Sequence, residues 1–395
     1  MMPGFLDTSL GHYSRTLSRC FHDDAVRRHV YHYLVDSLKL SLGIVPYHVD
    51  LFNTEQPLWL RLHSKGAGDI LNLVPLIQAI LIEFPQCTII TNHWQLPLQY
   101  ISPHCSVVPD QLPLSNQQNN YYDFTAIVNF HSYCPHWIQY FLLLKILPAP
   151  LSPDPFPLLP HRDLSGLGLS NKTYVVVHTR SERLEWQGRQ THPENMRHII
   201  ASLHRQGIGT VEVGNNIPLV HPASLPLLDK LSYEDLTLLI KHSAGFVGVD
   251  SLPMHLASLY RKPILGFFGA TRPLQVLPGL TPVIPLSHRQ LPCLGCVYER
   301  RPRDFNVCPF GDPPCQGLFP AAHLDLAAAK FCRWLSHRQY FENLAADCLS
   351  VSLDYVVAAG HRDFEADLHR RVIFPLRRPG FARSLTGPPD LIQRR

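Results

Sequence analysis

The chain of 395 residues contains no apolar run long enough to span a membrane, and its longest candidates, such as residues 141–147, are far too short. Residues 1–21 lack the charged start and the apolar stretch of a secretory signal. Its basic residues are dispersed except near the C-terminus, which argues against a nucleic-acid-binding protein. These absences predict a cytoplasmic protein with no nucleic-acid partner and at most peripheral membrane contact.

Two common phosphate-binding features are also missing. The sequence has no Gly-rich loop of the Walker type and no acidic pair typical of a magnesium site. The ten cysteines are scattered except for one cluster, so in a reducing compartment they do not indicate a disulfide framework. The small positive net charge of +4 fits a mildly basic cleft for an anionic sugar nucleotide.

Strand-like apolar runs at residues 58–62, 88–91, 125–128, 174–178, 210–214, 247–249 and 263–268 alternate with helix-like segments. This alternation predicts an α/β protein with mostly parallel sheets. Ligands of such sheets bind beyond the carboxyl ends of the strands, so the cleft between two facing domains is the predicted site. The sequence predicts two Rossmann-like domains, at residues 56–147 and 173–335, joined by a proline-rich linker at 148–172. An N-terminal extension at 1–55, with a helical pattern at 23–42, precedes them. A C-terminal segment at 336–395 follows them; it is apolar at 348–359 and predicted to be disordered at 377–395.

The most informative segment reads Asp-Ser-Leu-Pro-Met-His at residues 250–255 and follows a short apolar strand pattern. A helix that begins there would offer free backbone N–H groups and a positive dipole end to a phosphate. Ser251 suits the N-cap of this helix and Pro253 suits its first turn. An ordinary strand-to-helix turn that binds nothing has the same pattern.

A second segment follows the predicted strand at 58–62 and reads Lys-Gly-Ala-Gly-Asp at residues 65–69, ahead of an apolar helical pattern. Gly66 and Gly68 let the backbone turn tightly and let a ligand come close. Asp69 stands just past the strand tip, where an acid can serve as a general base or can simply cap the following helix.

Together the two segments resemble glycosyltransferase family 9, the heptosyltransferases. That family carries a Gly-Asp pair after its first strand and a segment close to Asp-Ser-Gly-Pro-Met-His in its second domain. The segment Gly-Ala-Thr-Arg-Pro at 269–273 matches as well, and the resemblance covers roughly residues 56–335. It implies the GT-B fold and an inverting, metal-independent transfer of a heptose or similar sugar from a nucleotide donor, such as ADP-heptose. The acceptor implied is a lipopolysaccharide-core sugar or a protein hydroxyl.

The resemblance also implies roles for individual residues. Asp69 inherits the role of catalytic base, whereas Asp250 and Ser251 would hold the ribose or the phosphates of the donor. The residues expected to bind the donor are Gly66, Gly68, Arg180, Arg183, Arg189, Asp250, Ser251, Leu252, Pro253, Met254 and His255.

Two positions depart from the family pattern. Leu252 stands where the family has Gly, and Gln-Thr-His-Pro at 190–193 replaces a Lys followed by Trp-Pro. Arg183 or Arg189 would then have to supply the missing positive charge. The departures keep two alternatives open, which are a non-catalytic protein that binds nucleotide sugars and a sugar-nucleotide epimerase with the same architecture.

Four cysteines form the cluster, with a C-x-x-C pair and two later members within a loop rich in proline. They are Cys293, Cys296, Cys308 and Cys315. Four thiolates at this spacing can wrap a tetrahedral ion, and a structural zinc or iron would stabilise a loop with little apolar material. Reduced thiols or a disulfide pair are the alternatives. A similar loop holds iron in the branch of the family that heptosylates autotransporter proteins, and no cofactor is expected for catalysis.

Overall fold

The protein is described here from a computed structural model. It covers residues 57–64, 66–74, 77–78, 81, 86–110, 121–123, 154–164, 169, 173–180, 187–271, 273–277, 282–288, 291, 293, 296, 308, 311 and 313–336. The helix expected at 23–42, a strand expected at 125–128, the apolar segment at 348–359, the basic tail and Arg183 all lie outside these residues.

In its described residues, the first domain contains a parallel sheet of four strands in the order β3-β2-β1-β4. The alternating burial of β1 places three of its leucines in the core, and a short helix, α1, follows it. The helical pattern continues beyond α1 through the buried residues Val74, Ile77 and Leu81. The elements are β1 (Leu58–Leu62), α1 (Ala67–Leu71), β2 (Cys87–Thr91), β3 (Cys105–Pro109) and β4 (Tyr121–Asp123), with a 3-10 turn at Pro97–Tyr100.

The second domain is a parallel sheet of six strands in the order β10-β9-β8-β5-β6-β7. Its central strands are buried along their whole length, as expected for a sheet with helices on both faces. The elements are β5 (Tyr174–His178), α2 (Pro193–Arg205), β6 (Gly209–Gly214), β7 (Leu225–Leu228), α3 (Tyr233–His242), β8 (Gly245–Val249), α4 (Leu252–Leu259), β9 (Ile264–Phe267), α5 (Pro273–Val276), β10 (Val283–Leu286) and α6 (Ala321–Ser336), with 3-10 turns at Gln187–Arg189 and Pro314–Gln316.

The two domains share one apolar core at their interface. Ile70 and Leu73 from the first domain belong to the same buried cluster as Met254, Leu256 and other residues of the second. Helices α1 and α4 pack against each other, and hydrogen bonds from Asn72 to the backbone carbonyl of Val276 and from Tyr100 to Glu234 cross the boundary. The domains are therefore held together by burial as well as by polar contacts.

The described part of the proline-rich linker lies against both domains. Phe156 is fully buried in the shared core, and Gln78 of the first domain donates hydrogen bonds to the carbonyls of Asp154 and Pro155. On the other side, the Asp154 carboxylate pairs with Lys241 of α3 at 2.7 Å. This segment therefore contacts both domains along their interface, whereas its composition alone predicts an extended linker.

The predicted α/β class with two parallel sheets is confirmed. Among the residues that the structure describes, no helix combines the length and the apolar character needed to cross a membrane.

Candidate active site in the interdomain cleft

A cleft of about 930 Å³ opens between the two domains, at the carboxyl ends of their strands. The predicted site residues on its surface are Gly66, Gly68, Asp69, Arg189, Ser251, Leu252, Pro253 and His255. The first domain also contributes His93, Trp94, Gln95 and Gln99. The geometry therefore brings the Gly-Asp segment of one domain opposite the start of α4 in the other.

Asp69 lies in the first turn of α1 and is anchored by a buried serine. The Ser64 hydroxyl donates a hydrogen bond of 2.7 Å to Oδ2 of Asp69 and accepts one from the backbone N–H of Gly66. Ser64 is itself fixed, because its backbone N–H donates to the side chain of Asn92, and Asn92 donates back to its carbonyl at 2.7 Å. The carboxylate is thus held at the cleft surface in a defined orientation, as a general base requires.

The start of α4 differs in one respect from the prediction. Ser251 is the N-cap residue, but its hydroxyl makes no capping bond and donates to the carbonyl of Val249 at 2.9 Å. The carbonyl of Ser251 accepts hydrogen bonds from the N–H groups of Met254 and His255, and Pro253 occupies the first turn as expected. Since no side chain caps this terminus, its first N–H groups can meet a ligand in the cleft.

Asp250 is buried beneath the cleft and is not among the residues that line it, and its expected contact with the donor stays a prediction. Its carboxylate pairs with Arg189 at 3.3 Å and with His255 at 3.4 Å. Burial alone would raise the pKa of Asp250, but Arg189, His255 and Thr271 outweigh it and hold that pKa below its usual range. Asp250 therefore acts as an ionised anchor for two cleft residues.

His255 reaches the cleft at a point where α1 and α4 touch. A Cβ atom on Gly68 would lie 2.3 Å from Cδ2 of the imidazole, so no residue with a side chain fits there without movement. Nδ1 of His255 lies 3.0 Å from Oδ1 of Asn72. The second glycine of the Gly-Asp segment thus serves domain packing, in addition to any role beside a ligand.

Two other predicted residues lie away from the cleft surface. Met254 is fully buried in the shared core. Arg180 lines a separate pocket of about 340 Å³ between the end of β5 and the proline-rich stretch at 313–317. Of the two predicted arginines that the structure describes, Arg189 is therefore the one at the cleft. Arg183 falls outside the described residues.

His178, at the end of β5, is a cleft residue that the sequence analysis missed. It is 3% exposed, and its Nδ1 has no hydrogen-bond partner among the described residues. Burial lowers the pKa of His178 to about 4, so the imidazole is neutral at physiological pH. A neutral ring with an unsatisfied nitrogen is suited to contact a bound ligand. The available signal was a buried strand that ends in a polar residue.

The four cysteines gather near the turn that carries Arg189. Burial, together with the thiols of Cys296, Cys293 and Cys308, raises the pKa of Cys315 to about 12. The Cys315 thiol lies 3.9 Å from the carbonyl of Gly188. In the described part of the chain, however, no three or more His, Cys, Asp or Glu side chains are arranged so that they could hold a metal ion. The predicted metal site stays a prediction.

Comparisons with known proteins agree with this architecture. The sequence model of glycosyltransferase family 9 (heptosyltransferase) matches residues 199–304. Over 50 residues the chain is 40% identical to lipopolysaccharide heptosyltransferase 3 of Escherichia coli, a match that covers 13% of this chain and only 15% of that protein.

Among solved structures, the chain resembles the bacterial iron-containing dodecameric glycosyltransferase TibC from enterotoxigenic E. coli, with a TM-score of 0.51 and 18% identity over 71% of this chain and 77% of that one. The heptosyltransferase TibC in complex with ADP-D-beta-D-heptose gives the same TM-score and coverage with 17% identity. At such identity the likeness shows the fold, which is GT-B. The resemblance of this chain to the heptosyltransferases of glycosyltransferase family 9 is thereby confirmed, by sequence within the second domain and by fold across both.

Proposed function

We propose that the protein is an inverting glycosyltransferase that moves a heptose or similar sugar from an ADP-linked donor to an acceptor hydroxyl. The observation that carries the proposal is the juxtaposition, across one cleft, of a fixed carboxylate and a set of groups suited to a diphosphate. Asp69 stands on one wall, and Arg189, His255 and the uncapped start of α4 stand on the other.

In the proposed reaction, the Asp69 carboxylate takes the proton from the acceptor hydroxyl. The acceptor oxygen forms a bond to the anomeric carbon while the bond from that carbon to the diphosphate oxygen breaks. The bonding electron pair leaves with ADP, and the anomeric configuration inverts. The growing negative charge on the diphosphate is met by the N–H groups at the start of α4, by His255 and by Arg189.

The acceptor is proposed to approach from the first domain. That wall carries Trp94, which is 49% exposed, next to Gln95 and His93. An exposed indole offers a flat apolar face to a sugar ring, and the amide offers both a donor and an acceptor to hydroxyl groups. A lipopolysaccharide-core sugar and a protein hydroxyl both remain candidates for the acceptor.

A metal ion, where present, is proposed to be structural. The donor set of Cys293, Cys296, Cys308 and Cys315 fits zinc or iron chemically. Burial first, and the other three thiols after it, raise the pKa of Cys315. Bound there, the ion would cross-link the loop that contacts Gly188, next to Arg189. Catalysis itself is proposed to need no metal.

Nucleotide titration followed by a transfer assay tests the proposed function. We expect ADP to raise the melting temperature of the protein more than UDP, GDP or CMP does, because a ligand that binds only the native state stabilises it by mass action. We expect transfer from ADP-heptose to depend on Asp69, so that Asp69→Asn lowers turnover at least 100-fold while the ADP-induced shift stays nearly unchanged.

Two further variants sharpen this test. Ser64→Ala removes the hydrogen bond that orients Asp69 and should lower turnover by about tenfold. Asp325→Asn is the matched control, because Asp325 lies on the exposed side of α6, where it pairs with His198 and Arg205. Unchanged turnover in Asp69→Asn would remove Asp69 from the mechanism.

Leu252 favours one alternative, a protein that binds nucleotide sugars without turnover. It occupies the first position of α4, lines the cleft and packs partly against the core, so its side chain narrows the approach to the helix terminus. An ADP-induced shift without transfer to any acceptor would support this alternative, and Leu252→Gly would then be expected to restore transfer.

A further inference from the structure

A hydrogen-bonded chain of buried side chains crosses the domain boundary through Asn72. This residue follows α1 in the first domain and is 3% exposed. Its Nδ2 donates to the carbonyl of Val276 at 3.2 Å, and its Oδ1 lies 3.0 Å from Nδ1 of His255. Because a backbone carbonyl can only accept, the amide must present its NH₂ to Val276 and its oxygen to His255.

This orientation decides the state of one nitrogen of His255. An amide oxygen has no proton to give, so Nδ1 of the imidazole must carry the hydrogen of the bond to Asn72. A neutral imidazole has only one N–H. If the ring were neutral, its other nitrogen, Nε2, would therefore be a bare acceptor.

The group that faces Nε2 is also an acceptor. Oδ1 of Asp250 lies 3.4 Å from it, an ion-pair distance without hydrogen-bond geometry, and the carboxyl is 1% exposed. Burial raises the pKa of Asp250, but Arg189, whose Nε lies 3.3 Å from Oδ2, is the largest of the influences that hold that pKa below its usual range, so the group is a carboxylate. A bare nitrogen beside a buried carboxylate would be repelled, whereas a second N–H is attracted. Each ring nitrogen therefore faces an acceptor, the amide oxygen of Asn72 or the carboxylate of Asp250, and each is stabilised by an N–H.

We propose that Asn72 is a positioning residue that, by docking the first domain on the second, holds His255 as a doubly protonated imidazolium at the edge of the cleft. The charged groups around the ring are Asp250 below it, Arg189 on the far side of Asp250, and Asp69 on α1 at the same cleft. His178 at the same cleft is neutral. One carboxylate, that of Asp250, thus faces both Arg189 and the His255 imidazolium. The cleft edge therefore carries positive charge where the donor diphosphate is expected to bind.

The mechanistic consequence rests on the proposed function. If a diphosphate leaves at this position, an imidazolium stabilises it better than a neutral ring. Because Asn72 and His255 belong to different domains, the charge is complete only while the domains are docked. The protonation state itself depends on no assumption about the reaction, so it can be tested separately.

Nitrogen-15 NMR of the full chain, labelled at histidine, tests the protonation state. The His255 signals are assigned by their loss in His255→Gln. In the parent protein at pH 7 we expect both ring nitrogens of His255 to carry protons. In Asn72→Leu, which is close in size but cannot accept a hydrogen bond, we expect one protonated nitrogen. Asn72→Asp restores an acceptor oxygen and should restore the second N–H.

Turnover provides the second readout. We expect Asn72→Leu to lower kcat by about tenfold with little change in the KM for the donor. Asn72→Asp should recover most of the turnover. Asn72→Ala, which also lacks an acceptor, provides the same comparison if the leucine variant does not fold.

Each outcome decides one part of the inference. A single N–H on His255 in the parent protein would overturn the imidazolium. Two N–H protons in Asn72→Leu would overturn the role of Asn72. An inactive parent protein that still shows both N–H protons would contradict the proposed function and leave this inference standing.

Discussion

At the residue scale, the cleft is built from polar side chains whose partners are themselves fixed. Ser64 orients Asp69 and is held by Asn92, while Asp250 orients both Arg189 and His255. Residues of this kind determine how precisely a base or a cation is placed, although they need not touch the substrate. His178 lies at the same cleft, and its Nδ1 has no hydrogen-bond partner among the described residues.

The unpartnered histidine makes stability depend on pH. Burial lowers the pKa of His178 to about 4 in the folded chain, whereas an unfolded histidine ionises near 6.5. Between these values the unfolded chain binds the additional proton. Decreasing the pH through this window therefore destabilises the folded state, by about 3 kcal/mol at pH 4. Above pH 6.5 the effect disappears.

Urea unfolding of the parent and of His178→Gln, measured from pH 7 to pH 4, isolates this contribution. Glutamine does not titrate, so the stability of the parent relative to the variant should fall as the pH decreases. Parallel pH dependences of the two proteins would show that His178 is not neutral and buried in the way described.

At the element scale, the contact between α1 and α4 fixes the relation of the two domains. Gly68 allows this approach, because a Cβ atom there would lie 2.3 Å from the ring of His255. Alanine normally stabilises a helix relative to glycine by about 0.5–1 kcal/mol. Here the steric clash should outweigh that gain, and we expect Gly68→Ala to lower the free energy of unfolding by about 1–3 kcal/mol.

Urea unfolding also tests this second prediction, with Gly209→Ala as the matched control. The nearest atom to a Cβ on Gly209 is 3.4 Å away, and its backbone needs no left-handed conformation. The control should differ little from the parent protein. A Gly68→Ala variant as stable and as active as the parent would show that the helices separate easily.

The strands that the sequence predicted are central in their sheets, whereas the strands that it missed lie at the edges. The central strands β1, β2, β5, β6, β8 and β9 were all expected from their apolar runs. Strand β4 (Tyr121–Asp123) was not predicted, and the strand expected nearby at 125–128 lies outside the described residues. The other strands missed, β3, β7 and β10, each contain a proline, at Pro109, Pro226 and Pro285. Each also lies at the edge of its sheet, where a residue without an N–H is tolerated. Local pattern alone cannot separate such strands from loops.

The site shows a similar division. The Gly-Asp segment and residues 250–255 were predicted because each marks a strand-to-helix junction that is visible in the local sequence. Asn72, Ser64 and His178 were not predicted, since their roles depend on partners from distant parts of the chain. For the same reason, the sequence could not show that Asp250 is buried and pairs with Arg189 and His255.

At the scale of the whole molecule, the cysteine cluster lies beside the turn that carries Arg189 at the cleft. The Gly188 carbonyl accepts the N–H of Ala270 and lies near the Cys315 thiol, directly before Arg189. We expect the purified protein to contain about one equivalent of zinc or iron by elemental analysis. Replacing both Cys293 and Cys296 by serine should remove the metal and lower the melting temperature by several degrees.

Cys332→Ser is the matched control for the metal prediction. Cys332 is a half-buried free cysteine on α6 and does not appear among the thiols that shift the pKa of Cys315. It should leave the metal content unchanged. A metal-free parent protein, prepared under reducing conditions and supplied with iron and zinc, would argue for simple reduced thiols instead.

The apolar core shared by the two domains limits which domains of related proteins can be exchanged into this chain. Ile70 and Leu73 pack in one cluster with Met254 and Leu256. Either domain alone would therefore expose part of this apolar cluster to solvent. Exchanging one domain for that of a distant relative would pack an α1 and an α4 from two different proteins against each other. The contacts now made by Gly68 and Asn72 would then lack their matching partners. A functional chimera should therefore require that both helices be transferred as a pair, whichever strands accompany them.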